Sequence, residues 1–183
     1  MEFSNHIGTP LVEGLIFVHN VLVGFDLRKK IKVISSGKMT SGFGLVKRLA
    51  LGADICYSAR GMMMALGCIQ ARKCNSNDCP VGVTTQNPKL TWALVPEEKS
   101  KRVYNFHQNT VKSACEIMGA MGLEKTEDLK PWHLMRRIEA YEIRNLSEIY
   151  EFIEEGSLLK DPKPENYARA CDAAHSNSFT EPS

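Results

Sequence analysis

The chain has 183 residues, 43% hydrophobic and 24% charged, with a formal net charge of +2, values of a globular protein that could be one ordinary domain. No basic stripe of the kind that binds nucleic acid is present, and the longest apolar runs, residues 15–18 and 62–66, are far too short to span a bilayer. Six cysteines in this length are not a secreted disulfide framework, and M-E-F-S-N-H lacks the basic start and apolar core of a leader peptide, so a soluble, cytoplasmic protein is expected.

Thr9 is expected to cap the first helix, with Pro10 at its first position, where a missing N–H costs nothing. Leu11, Leu15, Val18 and Leu22 follow at helical spacing, and Gly24 closes the element. A basic turn, Arg28-Lys29-Lys30, leads to a strand over residues 31–35 and a loop at Ser36-Gly37-Lys38. A helix over residues 41–51, a strand over 53–57, the loop Ser58-Ala59-Arg60-Gly61 and a short helix from Met62 come next. This alternation argues for parallel strands with helical crossovers. Gly37 lets backbone approach a ligand closely, and free N–H groups after Arg60-Gly61, at the start of a helix, suit an anion.

The stretch that follows holds Cys68, Cys74 and Cys79, spaced C-x5-C-x4-C, with Pro80 directly after. A zinc site normally takes four ligands, often as two close pairs, and neither is evident here. Three thiolates on one loop suit an iron–sulfur cluster better, since soft sulfur holds iron; the alternative is ordinary reduced thiols.

Beyond the cysteines a long helix is expected over residues 96–121, acidic in its first turn, with a stripe of Val103, Phe106, Val111, Cys115 and Met118. A turn over 126–131, a short helix over 132–137 and a last helix over 147–155, with Ile149, Tyr150 and Ile153 inward, complete the order. The polar remainder reads as a disordered tail. Three regions result: residues 1–95 with the loops and cysteines, 96–157 as a helical extension, and 158–183 as the tail. His19, Cys56, Cys115, Cys171 and Met62-Met63-Met64 have plain packing or surface readings.

C-I-Q-A-R-K-C-N-S-N-D-C-P-V-G-V-T-T-Q resembles the 3Fe–4S-binding loop of the glutamate synthases, and S-G-K-M-T-S-G through L-A-L-G-A-D to M-A-L-G-C resembles the end of their FMN-binding barrel. The resemblance implies an α/β fold: the C-terminal portion of a (β/α)8 (TIM) barrel with a helical C-terminal extension, the barrel incomplete in this chain. It implies FMN and a 3Fe–4S cluster as cofactors, with Cys68, Cys74 and Cys79 as cluster ligands. The FMN phosphate would meet Ser36, Gly37 and Lys38 on one loop and Ala59, Arg60 and Gly61 on the other. The larger glutamate synthases read approximately Asp-Gly-Gln at Ser36-Gly37-Lys38 and Gly-Thr at Ala59-Arg60. The added cations are similar to those of shorter, stand-alone members.

A complete protein of this family is expected to convert 2-oxoglutarate or a similar substrate to glutamate by reductive amination. Electrons would come from a donor such as ferredoxin or a reductase subunit, with neither nucleic acid nor membrane as partner. A (β/α)8 barrel needs eight strands and about 250 residues. The chain is therefore expected to be a fragment, or to complete its fold with another polypeptide, and to be inactive alone. The second reading is a non-catalytic iron–sulfur or phosphate-binding module. A phosphate-binding barrel of the inosine-monophosphate dehydrogenase kind is also similar through the glycine segments, but explains neither Cys74 nor Cys79.

Overall fold

Pro10 has the extended ψ of 150° and stands as N-cap, with helix α1 running Leu11–Gly24. The expected hydroxyl cap at Thr9 is absent, and the first turn closes through Gly14 N–H donating to the Pro10 carbonyl at 2.8 Å. The computed structural model describes residues 7–178. The leader-peptide reading of residues 1–6 and the end of the expected tail, residues 179–183, lie outside the described residues.

Strand β1 is Ile34–Ser36, helix α2 Gly42–Ala50, strand β2 Ile55–Tyr57 and helix α3 Arg60–Leu66. Both strands are shorter than expected because Val33 and Asp54 take each other's polar groups. The Val33 N–H donates to Asp54 Oδ2 at 2.7 Å, and the Asp54 N–H donates to the Val33 carbonyl at 2.8 Å. Strands β1 and β2 pair in a two-stranded sheet. Helices α4, Pro88–Thr91, and α5, Pro96–Ala120, follow the cysteine stretch.

Residues 132–137, expected as helix, hold a single 3-10 turn, Pro131–His133, and the start of a hairpin. Its strands are β3, Met135–Glu139, and β4, Glu142–Asn145, antiparallel with a bulge between Arg137 and Glu139. The expected helix over 147–155 is only one turn, α6, Leu146–Ile149. Asn145 caps it, accepting from the Ser147 and Glu148 N–H groups, while Glu148 Oε2 accepts from the Asn145 N–H.

The expected tail without structure is corrected in its described part, where helix α7 spans Glu165–Ala173 and Tyr167 is buried. Burial of the one aromatic side chain, Tyr167, outweighs a polar composition. The protein is thus a mixed α/β chain, and no helix among the described residues is long and apolar enough to cross a membrane.

The chain divides into two compact units. The first comprises Met1–Ser35, Arg48–Ile55 and Leu129–Ser183, and the second Ser36–Lys47 and Cys56–Asp128. In the first, Leu15, Ile16, Leu51, Leu134, Leu146, Leu158 and Tyr167 are buried. Gly24 lies against Leu158 so closely that a Cβ would stand 2.4 Å from Leu158 Cγ. Arg28 ties this unit together: it donates to the Gly52 carbonyl at 2.9 Å and pairs with Asp54 at 2.7 Å.

In the second unit α5 is the long support. Its covered side is Val103, Phe106, Thr110, Ser113, Ala114, Ile117 and Met118, while Val111 and Cys115, expected on the stripe, are exposed. The covered positions fall on one arc of the helix, and Val111 and Cys115 lie just beyond its edge.

Candidate functional site

All nine residues singled out for cofactor contact, Ser36, Gly37, Lys38, Ala59, Arg60, Gly61, Cys68, Cys74 and Cys79, fall in the second unit. The first loop leaves β1 through Gly37 at φ 126° and Lys38 at φ 50°, two left-handed residues in succession. A side chain at Gly37 is strained by that angle whatever space surrounds it. Lys38 and Arg60 are both exposed.

The second loop leaves β2 at Ser58, and Ala59 caps α3 by backbone, without a side-chain hydrogen bond. The two loops are joined directly: the Ser58 hydroxyl donates to the Met39 carbonyl at 2.5 Å. Gly61 makes the approach possible. A Cβ there would meet Ser58 Oγ at 2.5 Å, the Met39 carbonyl oxygen at 2.8 Å and Phe106 Cζ of α5 at 3.1 Å. Gly42 does the same at the start of α2, where a Cβ would stand 2.6 Å from the Ala114 backbone nitrogen. Sequence reasoning found Gly61 but missed Ser58, Met39, Phe106 and Gly42. Serine at a strand end followed three positions later by glycine was the available signal for Ser58; the contacts of α5 are non-local and left none.

The cysteine stretch begins where α3 ends, at Gly67 with φ 104°. Gln70, Arg72 and Asn77 are also left-handed, at φ 57°, 56° and 61°, so the chain reverses repeatedly instead of continuing the helix. Asn77 pins the loop's far side: its carbonyl accepts from the Thr85 hydroxyl at 2.5 Å, and its side-chain oxygen accepts from the Gln86 N–H at 2.7 Å. Cys74 is exposed, Cys68 half-buried with its sulfur accepting from the Gln70 N–H at 3.4 Å, and Cys79 buried.

Cys79 has the most unusual surroundings. The Thr84 N–H first, then those of Val81 and Val83, lower its thiol to about 7 against a burial that pushes it up. Backbone donors aimed at a sulfur stabilise thiolate, the form that ligates metal. Three soft sulfur donors, one held toward its anion, fit a cluster chemically. Among the described residues, however, no three Cys, His, Asp or Glu side chains are gathered closely enough to hold a metal ion. The donor set fits; the sulfurs stand apart.

The two glycine loops meet beside the start of α3, and the three-cysteine stretch follows that helix directly. Residues 1–124 match the family described as the conserved region in glutamate synthase. The chain belongs to the glutamate synthase family. It is 35% identical over 153 residues to the glutamate synthase large subunit-like protein YerD of Bacillus subtilis, covering 83% of this chain and 29% of that protein. To the archaeal glutamate synthase [NADPH] of Methanocaldococcus jannaschii it is 34% identical over 128 residues, covering 70% and 25%. To the glutamate synthase [NADH] of Saccharomyces cerevisiae it is 30% identical over 124 residues, covering 68% and 6%. The chain thus spans less than a third of each of these relatives.

Proposed function

We propose that the chain supplies the flavin-phosphate loops and the cluster loop of a glutamate synthase-like oxidoreductase, in a (β/α)8 barrel whose other strands it does not itself contain. The observation that carries this is the Ser58–Met39 clasp with Gly61 beneath it, because it brings the two loops together in the unit that also holds Cys68, Cys74 and Cys79. Backbone at Ser36, Gly37, Ala59 and Gly61 would hold the phosphate of FMN, with Lys38 and Arg60 supplying positive charge. Cys68, Cys74 and Cys79 would hold a 3Fe–4S cluster, and the N–H groups beside Cys79 would stabilise its thiolate.

When bound, these groups supply hydride and single-electron transfer; the protein supplies position and potential. The chain's own residues fix one end of the flavin and shift the Cys79 sulfur toward its thiolate. Substrate positioning needs barrel strands beyond β1 and β2, so turnover belongs to the assembled protein. The proposed reaction is reductive amination of 2-oxoglutarate, or a similar oxo acid, to glutamate. The electron donor is a ferredoxin or a reductase subunit, and the NADPH and NADH named for two relatives are consistent with a nicotinamide upstream. The proposed compartment is the cytoplasm.

The separation of the three cysteines favours one second reading, a phosphate-binding module without a cluster. A visible spectrum after anaerobic purification separates them. Flavin bands with a broad iron–sulfur absorption support the oxidoreductase reading, and flavin bands alone support the second.

A further inference from the structure

The register of the β3–β4 hairpin sets Arg136 opposite Arg144 and Glu139 opposite Glu142. Glu142 and Arg144 are two positions apart on one strand, so all four side chains share a face. Like charges directly opposite weaken a strand pair, and here that happens twice in one short hairpin. Arg144 forms an ion pair with Glu142 of its own strand. Among the described residues, neither Arg136 nor Glu139 has an ion-pair partner. All of β3 is exposed, and Ile143 in β4 is 50% exposed. Among the described residues, Glu142, Ile143 and Arg144 make no backbone hydrogen bond outside the hairpin. Such an edge is a template for another strand.

We propose that β4 is a self-recognition edge, where a second copy of this chain adds its own β4 antiparallel to give a four-stranded sheet in the order β3–β4–β4–β3. Residues opposite one another in an antiparallel pair must share a face, which a two-fold axis at Ile143 satisfies. Ile143 then meets the second copy's Ile143, and Glu142 meets the second copy's Arg144 on both sides of the axis. Across the charged face each row reads Arg136, Arg144, then the second copy's Glu142 and Glu139. The like pairs inside each hairpin become the matching halves of an oppositely charged row. Moving the axis to Arg144 or to Glu142 would set that residue against its own copy, so the charge pattern selects Ile143. A self-complementary patch of this kind is what a two-fold dimer requires. The contact is short and its charges are exposed, so the dimer is weak and salt-sensitive. It is independent of the flavin and cluster reading.

The test is sedimentation velocity on the full chain over a concentration series at low and high salt. It uses the parent, Glu139→Arg with Glu142→Arg, Arg136→Glu with Arg144→Glu, and an equimolar mixture of the two variants. The parent should form a dimer that salt weakens. Each double variant should dimerise about tenfold more weakly or worse, and the mixture should restore a heterodimer. Circular dichroism establishes that each variant is folded. Should one fail to fold, Ile143→Lys, which places like charges on the axis, gives the same readout. A folded parent that stays monomeric, variants that associate as the parent does, or a mixture that stays monomeric while the parent dimerises would each overturn the proposal. Association through apolar surfaces elsewhere would persist in both variants and in high salt, and so also counts against it.

Discussion

Asn20 and Tyr167, 147 positions apart, meet in the interior of the first unit, where the Asn20 amide donates to the Tyr167 hydroxyl at 2.5 Å. Both residues are buried, the Asn20 side chain also donates to the Glu151 carbonyl at 2.8 Å, and the Tyr167 ring stacks on Phe17 at 5.6 Å between centroids. The first and last described helices are therefore parts of one core. Tyr167→Ala should cost about 3 kcal/mol or more in urea unfolding, because it empties a buried aromatic site. Tyr167→Phe should cost about 1 kcal/mol, the hydrogen bond alone. An unchanged midpoint for Tyr167→Ala would mean that α7 is not part of the stable fold.

Acid should act through Asp54. Burial works to raise its pKa, but the Val33 N–H and the Arg28 guanidinium, with Lys32, outweigh it and hold the carboxyl below its usual range. The folded state thus favours the charged form. Its contribution is present above the unfolded value of about 3.9 and is lost as pH falls through the lower folded value. Asp54→Asn should lower stability at pH 7 and flatten the acid limb of the stability curve below about pH 4. Superimposable acid limbs for parent and variant would contradict this.

His19 gives a second titration of the same sign at higher pH. Burial first, then the Arg28 charge, lowers its pKa, and its ring Nδ1 accepts from Arg28 Nε at 3.2 Å. Neutral imidazole is the folded form. Stability should therefore be full above the ordinary value of about 6.5 and decline as pH falls below it. A His19→Gln variant should lose that decline, which chemical denaturation at pH 7.5 and pH 5.5 would reveal; equal losses in both proteins would remove His19 from the account.

The glycine loops make separate demands. Gly61→Ala forces a carbon against Ser58 Oγ and the Met39 carbonyl, so it should destabilise by about 1–3 kcal/mol and open the clasp between the loops. Gly37→Val strains a residue at φ 126°. Both should weaken FMN retention by the assembled protein and leave its iron content unchanged. FMN affinity equal to the parent's for both variants would count against the phosphate assignment.

Much of the helical order was legible because its signals are local. Pro96 with Glu97 and Glu98 marks the start of α5, and Gly24 marks the end of α1. The hairpin was not legible: Ala140-Tyr141 carries no Asn-Gly type of turn, and M-R-R-I-E with E-I-R-N has no apolar alternation for a buried face. Helix α7 was missed for a different reason. Its order comes from Asn20 and Phe17, far off in sequence, and composition near Tyr167 does not reveal them. At the candidate site, the sequence offers the cysteine spacing and the glycines that follow two strands. The Thr84, Val81 and Val83 donors beside Cys79 are backbone groups, which no residue pattern announces.

In the proposed function Cys68, Cys74 and Cys79 together hold iron. Iron and acid-labile sulfide analysis after anaerobic purification tests it most directly, on the parent protein and on Cys→Ser variants at each position. Cys68→Ser, Cys74→Ser and Cys79→Ser should each lose most of the iron and sulfide, while Cys56→Ser and Cys115→Ser should match the parent. Full iron and sulfide in Cys74→Ser, or none in the parent, would contradict the account.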